Sequence, residues 1–220
     1  MPAEVRIKIC CIQSLAEAQA AAAAGADAIG LVSTMPSGPG PIGDRLIATI
    51  AAGAPAGLRR FLLTARTTAV AIADHVRACG VDTVQLVDRV PAGELQRLRE
   101  FLPRTRLVQV IHVRGDESLA EAATAAPLVD ELLLDSGAPD AERKTLGGTG
   151  RIHDWTLSRR LVADSPVPVW LAGGLRPDNV GAAVATVRPY GVDVCSGLRP
   201  DGRWLDRDLL AAFCAAARAA

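Results

Sequence analysis

A single (β/α)8 barrel spanning residues 1–220 is the fold the sequence predicts, and three observations predict it. A length of 220 residues suits one α/β barrel or one doubly wound sheet better than two domains. Short apolar runs alternate strictly with Ala-rich helical stretches, eight of each, and parallel strands need such long crossovers. No G-x-G-x-x-G follows the first strand, where the fingerprint of an open dinucleotide-binding sheet belongs.

In chain order, strand Val5–Cys11 leads into helix Leu15–Ala24, Ala28–Val32 into Arg45–Ala52, and Arg59–Thr64 into Thr68–Cys79. Thr83–Leu86 then leads into Gly93–Phe101, and Leu107–His112 into Ser118–Ala126. The last three pairs are Glu131–Leu134 with Trp155–Ala163, Val169–Ala172 with Asn179–Val187, and Val192–Cys195 with Arg207–Ala219. A shared form opens several strands: Gly25-Ala26-Asp27-Ala28, Gly80-Val81-Asp82-Thr83 and Gly191-Val192-Asp193-Val194, with Val129-Asp130-Glu131 a weaker echo. There a Gly ends the helix, one residue turns, and the strand begins. The spacing is too irregular for a solenoid, and no linker divides the chain, although Pro36 to Pro41 is a long Gly/Pro loop.

Composition narrows the function. Half the residues are hydrophobic and 22% are charged, enough for a sizeable core and against disorder. Twenty-four basic residues balance twenty-four acidic ones, so the basic excess of a nucleic-acid or membrane-surface binder is missing. With 3% aromatic residues a base-stacking platform is not expected either. The expected partner is a small molecule, for a protein acting as a monomer or homodimer. The first eleven residues carry Glu4, Arg6 and Lys8 and do not read as a signal peptide, and no uncharged stretch is long enough to span a bilayer. Five cysteines without a regular spacing read as free thiols in a reducing, cytoplasmic setting.

A barrel keeps its chemistry at the C-terminal ends of its strands. That directs attention to Cys10 and Cys11, Ser33, Ala65, Val87, Val113, Asp135, Gly173 and Ser196. Alternation along the first strand turns Ile7, Ile9 and Cys11 toward the helices and Arg6, Lys8 and Cys10 toward the barrel axis. Either both cysteines are small buried hydrophobes, or Cys10 is a reactive thiol whose thiolate form Lys8 favours. Asp135 follows three leucines, where partial burial raises a carboxyl pKa and keeps it available as an acid; the plainer alternative is a turn cap with Ser136 and Gly137. Gly147-Gly148-Thr149-Gly150 is a Gly-rich loop without the Lys-Ser/Thr of a P-loop. Gly173-Gly174 and Ser196-Gly197 end strands seven and eight, the place where such barrels hold a phosphate on backbone amides. His75 and Cys79 lie one helical turn apart without companion ligands, so no metal site is expected. His112 reads as structural, His153 as part of the opening of helix six, and Arg97 to Glu100 as a solvated face. No Ser-His-Asp set on a nucleophile elbow is present.

Four blocks together resemble phosphoribosylanthranilate isomerases. They are Lys8-Ile9-Cys10 with Gly25 to Gly30, Gly147 to Gly150 with Asp154-Trp155, Leu171 to Val180, and Arg188 to Gly197 with Asp193 and Ser196 inside it. The resemblance covers nearly the whole chain. It implies a (β/α)8 barrel that performs an Amadori rearrangement in tryptophan biosynthesis without a cofactor. It further implies Cys10 as general base, Asp135 as general acid, and Gly148, Gly173, Gly174, Asp193, Ser196 and Gly197 around the substrate. Three positions depart from the family pattern. The Gly of the K-[IV]-C-G motif is Cys11, the S-P-R loop reads Ser37-Gly38-Pro39-Gly40, and V-Q-L-H-G reads Val84-Gln85-Leu86-Val87-Asp88. The acid, base and phosphate parts are retained and the recognition of the aromatic acid is altered. That leaves two further readings: a divergent relative acting on another phosphosugar amine, and a non-catalytic sugar-phosphate-binding paralogue.

Overall fold

The computed structural model describes residues 4–36, 38–136 and 153–220. Eight strands close into one barrel in sequence order. They are β1 (Arg6–Ile9), β2 (Ala28–Val32), β3 (Arg59–Thr64), β4 (Thr83–Leu86), β5 (Arg106–His112), β6 (Glu131–Asp135), β7 (Val169–Leu171) and β8 (Gly191–Val194). A helix follows each: α1 (Leu15–Ala23), α2 (Asp44–Gly53), α3 (Ala69–Cys79), α4 (Ala92–Phe101), α5 (Glu117–Ala125), α6 (Trp155–Asp164), α7 (Val180–Val187) and α8 (Arg207–Arg218). All neighbouring strands are parallel, and β8 returns to β1 with Arg6 opposite Gly191 and Ile9 opposite Val194. The observed elements match those expected from the sequence to within one residue at each end, except that β1 stops two residues early, at Ile9.

Outward-facing strand residues such as Ile7, Ile9, Ile29 and Leu31 are fully buried against the helices. Each such side chain contributes roughly 1.5–3 kcal/mol on leaving water. Inside the barrel the filling is smaller and aromatic, with Phe61, Leu133 and Trp170 fully buried. At its lower end Glu131 is ion-paired to Arg59 at 3.0 Å and accepts from the Trp170 indole at 2.6 Å.

The Gly-x-Asp openings divide into two kinds. Gly25 and Gly80 sit at φ 89° and 64°, a left-handed turn that glycine takes without a Cβ clash. The aspartates after them tie the preceding strand: the Asp27 carboxylate accepts from the Ile7 amide at 2.8 Å and Asp82 from the Arg60 amide at 3.1 Å. Asp130, in the weaker echo, does the same for Leu107 at 2.8 Å. Gly191-Val192-Asp193 is not a fourth copy. Gly191 is already inside β8, where a Cβ would meet the Trp170 ring at 2.5 Å, so the glycine serves space rather than a turn. The shift carries Asp193 up into the barrel interior, where it meets Lys8.

Candidate active site

Lys8 and Cys10 both point into the barrel, as the strand alternation requires. Lys8 is fully buried, its ammonium donates to Asp193 Oδ2 at 2.8 Å, and it lies 5.1 Å from the centre of the Phe61 ring. A buried charge needs such a partner, since an unpaired one costs several kcal/mol of desolvation. Gly30 on β2 makes the room: a Cβ there would lie 2.6 Å from Cys10 Sγ and 3.2 Å from Lys8 Nζ. Burial opposes the Lys8 charge, but Asp193 and Cys10 outweigh it and hold its pKa above the ordinary value. Asp193 is pushed up by burial against the pull of Lys8.

The expected activation of Cys10 by Lys8 is not what the resting site achieves. Burial pushes the thiol up to about 11, and the nearby ammonium, already engaged by Asp193, offsets only part of that. The thiol form therefore predominates at neutral pH. Asp135 follows its expectation: burial raises its carboxyl, while the Ser136 amide, donating at 2.7 Å, and the neighbouring His112 hold it back. His112 stands opposite Asp135 on β5, faces inward and donates from Nε2 to the Val87 carbonyl at 3.0 Å, leaving Nδ1 buried without a partner.

Cys10 and Asp135 line one cavity of about 620 Å³ at the top of the barrel, and Gly173, Gly174, Asp193 and Ser196 line it with them. Gly173 and Gly174 adopt φ 89° and 66°, which only glycine takes without strain. Asn179 holds that turn from α7, donating to the Gly174 carbonyl at 3.0 Å and accepting from the Arg176 amide at 2.8 Å. Gly197 is not on the wall. It packs under it, where a Cβ would collide with the Leu175 carbonyl. Gly148, the remaining candidate, lies outside the described residues. Val32, Met35, Pro39 and Leu63 supply an apolar wall, and among the described residues no Lys or Arg lines the cavity.

Cys11 overturns two expectations. It does not face the helices, because the strand has ended at Ile9 and Cys11 turns at φ 61° into the cavity wall. Nor is it free, for it forms a disulfide with Cys195, whose Cα is 5.9 Å away. Cys10, Cys79 and Cys214 remain thiols. The signal was present in the fold: each cysteine lies just beyond the end of a strand, and β1 and β8 are neighbours once the barrel closes. Arg199 was also missed. It is buried beyond β8, donates to the Cys11 carbonyl at 2.7 Å, and pairs with Glu17 of α1 at 2.8 Å.

Outside the cavity, Asp44 is the companion that His75 and Cys79 lacked in sequence, with one ligand atom from each within 4.8 Å of the others. Both imidazole nitrogens are nevertheless engaged, with Thr64 at 3.1 Å and Asp44 at 3.0 Å, so the trio stands as a hydrogen-bonded set between α2 and α3. Helix α6 is opened by Asp154, which accepts from the Thr156 amide at 2.8 Å, rather than by His153. His153 instead bonds Ser158 at 2.7 Å and packs behind Gly173, and burial pushes its pKa down to about 4.

A family model described as N-(5'-phosphoribosyl)anthranilate (PRA) isomerase matches residues 7–216. The N-(5'-phosphoribosyl)anthranilate isomerase of Haloferax volcanii is 40% identical over 216 residues, covering 98% of this chain and 94% of that protein. A second isomerase, from Methanosarcina mazei, is 36% identical over 203 residues, covering 92% and 89%. Among solved structures, phosphoribosyl anthranilate isomerase from Thermotoga maritima superposes with a TM-score of 0.83 at 27% identity, covering 98% of this chain and all of that one. A structure of the isomerase in complex with reduced 1-(o-carboxyphenylamino)-1-deoxyribulose 5-phosphate matches with a TM-score of 0.81 at 25% identity, over 98% and 100%.

Proposed function

Because the chain belongs to the N-(5'-phosphoribosyl)anthranilate isomerase family, we propose that it carries out the family's Amadori rearrangement, with Cys10 as base and Asp135 as acid. One observation carries the assignment of roles. Of the residues the sequence singled out, a thiol just beyond β1 and a carboxyl at the end of β6 face the same cavity beside a glycine turn able to hold an anion. The whole chain acting as one domain is supported by β8 pairing back onto β1.

The chemistry follows from the residue types. Asp135 gives its proton to the ribofuranose ring oxygen as the C1–O bond breaks, leaving a protonated Schiff base. Cys10, as thiolate, takes the C2 proton, and the electron pair of that C–H bond moves into the enolamine. The enolamine tautomerises to the aminoketose, and the two groups return to their starting states. Lys8 lies under Cys10 and favours the negative sulfur as it forms, against burial and the Asp193 carboxylate, which oppose it; Asp193 holds the Lys8 ammonium in place. The amides at Gly173, Gly174 and Ser196 suit the phosphate, and the loop that includes Gly148 is the further candidate. Val32, Met35 and Leu63 suit an aromatic ring.

The missing S-P-R arginine, with no Lys or Arg among the described residues that line the cavity, favours a weakened hold on the anthranilate carboxylate. A lost charge-assisted bond costs roughly 1.5–3 kcal/mol, about tenfold to a few hundredfold in affinity. Steady-state kinetics with phosphoribosylanthranilate, together with complementation of a tryptophan auxotroph lacking this isomerase, test the reading. Turnover with a raised KM and a family-like kcat is expected, since Cys10 and Asp135 act on the sugar. A low micromolar KM would mean that other groups recognise the carboxylate. No turnover with phosphosugar binding retained would move the protein to another phosphosugar amine or to binding alone.

A further inference from the structure

We propose that Cys11 and Cys195 are a reversible dithiol–disulfide site at the barrel mouth, reached by small thiols and small disulfides, whose state sets how tightly the phosphosugar is held. The bond lies in the wall of the cavity, where Cys11 is buried among the residues that fill the barrel and Cys195, packed against them, is partly exposed. A small thiol therefore reaches it by the same opening as a substrate. Cys79 and Cys214, by contrast, are buried and do not line the cavity.

The bond is also redundant for closing the barrel. β1 and β8 are paired from Arg6 opposite Gly191 to Ile9 opposite Val194, and the Cys10 amide donates to the Val194 carbonyl at 2.8 Å. Arg199 adds a second clamp, donating to the Cys11 carbonyl at 2.7 Å while ion-paired to Glu17. These contacts do not depend on sulfur. They keep the two cysteines facing each other when the bond opens, which is what a reversible pair requires. Glycine takes the φ of 61° found at Cys11 without strain, so the side chain there has a steric cost that a role for its sulfur accounts for.

Oxidation balances with a low-molecular-weight disulfide as the oxidant. The thiolate of one cysteine, the more exposed Cys195, attacks it and releases one small thiolate. Cys11 then displaces the second from the mixed disulfide. Two electrons pass to the reagent, the Sγ–Sγ bond forms, and two protons leave with the two small thiols. A dithiol reverses the sequence. The effect falls on binding because Cys195 immediately precedes Ser196, and the bond anchors that end of the glycine-and-serine rim to β1 while Cys10 keeps its place over Lys8 and Asp193. This effect rests on the isomerase reading above; the redox chemistry does not.

The test uses the whole native protein. Dithiothreitol followed by iodoacetamide and peptide mass analysis should label Cys11 and Cys195 with the circular dichroism unchanged, and oxidised glutathione should remove that labelling. On reduction KM should rise by about threefold or more with kcat nearly constant, and Cys195→Ser should show a KM that no longer responds to either reagent. A bond that opens only in denaturant, thiols that oxidised glutathione fails to join, an unchanged KM, or a redox response persisting in Cys195→Ser would each overturn the proposal. If neither state turns over, the isomerase reading fails separately. The affinity for inorganic phosphate measured by calorimetry then replaces KM, and equal values in the two states would overturn the proposal.

Discussion

At the floor of the barrel Glu131 has both oxygens taken. Oε1 is held by Arg59 at 3.0 Å and Arg106 at 3.5 Å, and Oε2 by Arg59 at 3.2 Å and Trp170 at 2.6 Å. Among the described residues there, only Arg59 Nε is left over. The mouth is built from the same residue types with the opposite economy. Asp193 spends one oxygen on Lys8 and leaves Oδ1 without a partner, and Gln85 Oε1 and His112 Nδ1 are likewise buried and unbonded. A buried polar group without a partner costs about 1–3 kcal/mol. Among the described residues the fold bears more of that cost at the mouth than at the floor, which separates the charges that hold the barrel from those that face a ligand.

Substitutions at the two ends should therefore fail differently. The largest effect is expected at the mouth: Cys10→Ala or Asp135→Asn should lower kcat by roughly 10²–10⁴-fold with an unchanged melting temperature. Cys11→Gly in the same assay should keep kcat, and equal losses at Cys10 and Cys11 would contradict the assignment of the base. At the floor, Glu131→Ala leaves the partly buried Arg59 and the buried Trp170 indole without their partner and should cost about 3–5 kcal/mol in denaturant unfolding. The protein that remains folded should keep its kcat; a kcat loss as large as that of Cys10→Ala would erase the distinction between the two ends.

Gly174→Val, at φ 66°, should raise KM and leave kcat near its starting value, because about 1–3 kcal/mol of backbone strain falls on the anion turn and not on Cys10. The smallest effect is the response to pH. Turnover needs the Cys10 thiolate with the protonated Asp135, yet burial puts the thiol at about 11 and Asp135, though raised, is a carboxyl. Between the two pKa values each drop in pH loses thiolate and gains protonated acid in equal proportion. kcat/KM should thus stay level from the raised Asp135 value up to about 11. It should fall below that window as thiolate vanishes, and above it as the acid vanishes. An alkaline limb near the ordinary thiol value of about 8.5 would mean that Lys8 outweighs burial.

The eight-fold alternation was legible because parallel strands buried on both faces and Ala-rich crossovers leave unmistakable runs, and the inward face of Lys8 and Cys10 followed from a period of two. Asp135 was legible for the same reason, standing where its strand ends. Three features were not. Gly191-Val192-Asp193 looks like the turn at Gly25, and only the Trp170 ring against Gly191 tells a space-saving glycine from a turning one. Alternation was carried to Cys11, but backbone pairing stops at Ile9 and the rule stops with it. The pairing of Cys11 with Cys195 spans 184 residues and exists only after β8 meets β1.

The aspartates at the strand beginnings bear on how the chain reaches this fold. Asp27, Asp82 and Asp130 each bind an amide of the strand before them, across 20, 22 and 23 residues. These are short loops to close, so β1 with β2, β3 with β4 and β5 with β6 can each assemble as a local unit. The seam of β1 against β8 has no such help. Its Lys8–Asp193 contact joins residues 185 apart, and the aspartate that would staple β7 to β8 has been moved inward to meet that lysine. The residue that supports the cavity is thus withdrawn from local assembly, and the wall bearing Cys10, Asp193 and Ser196 is the part of the barrel whose ordering waits on closure of the ring.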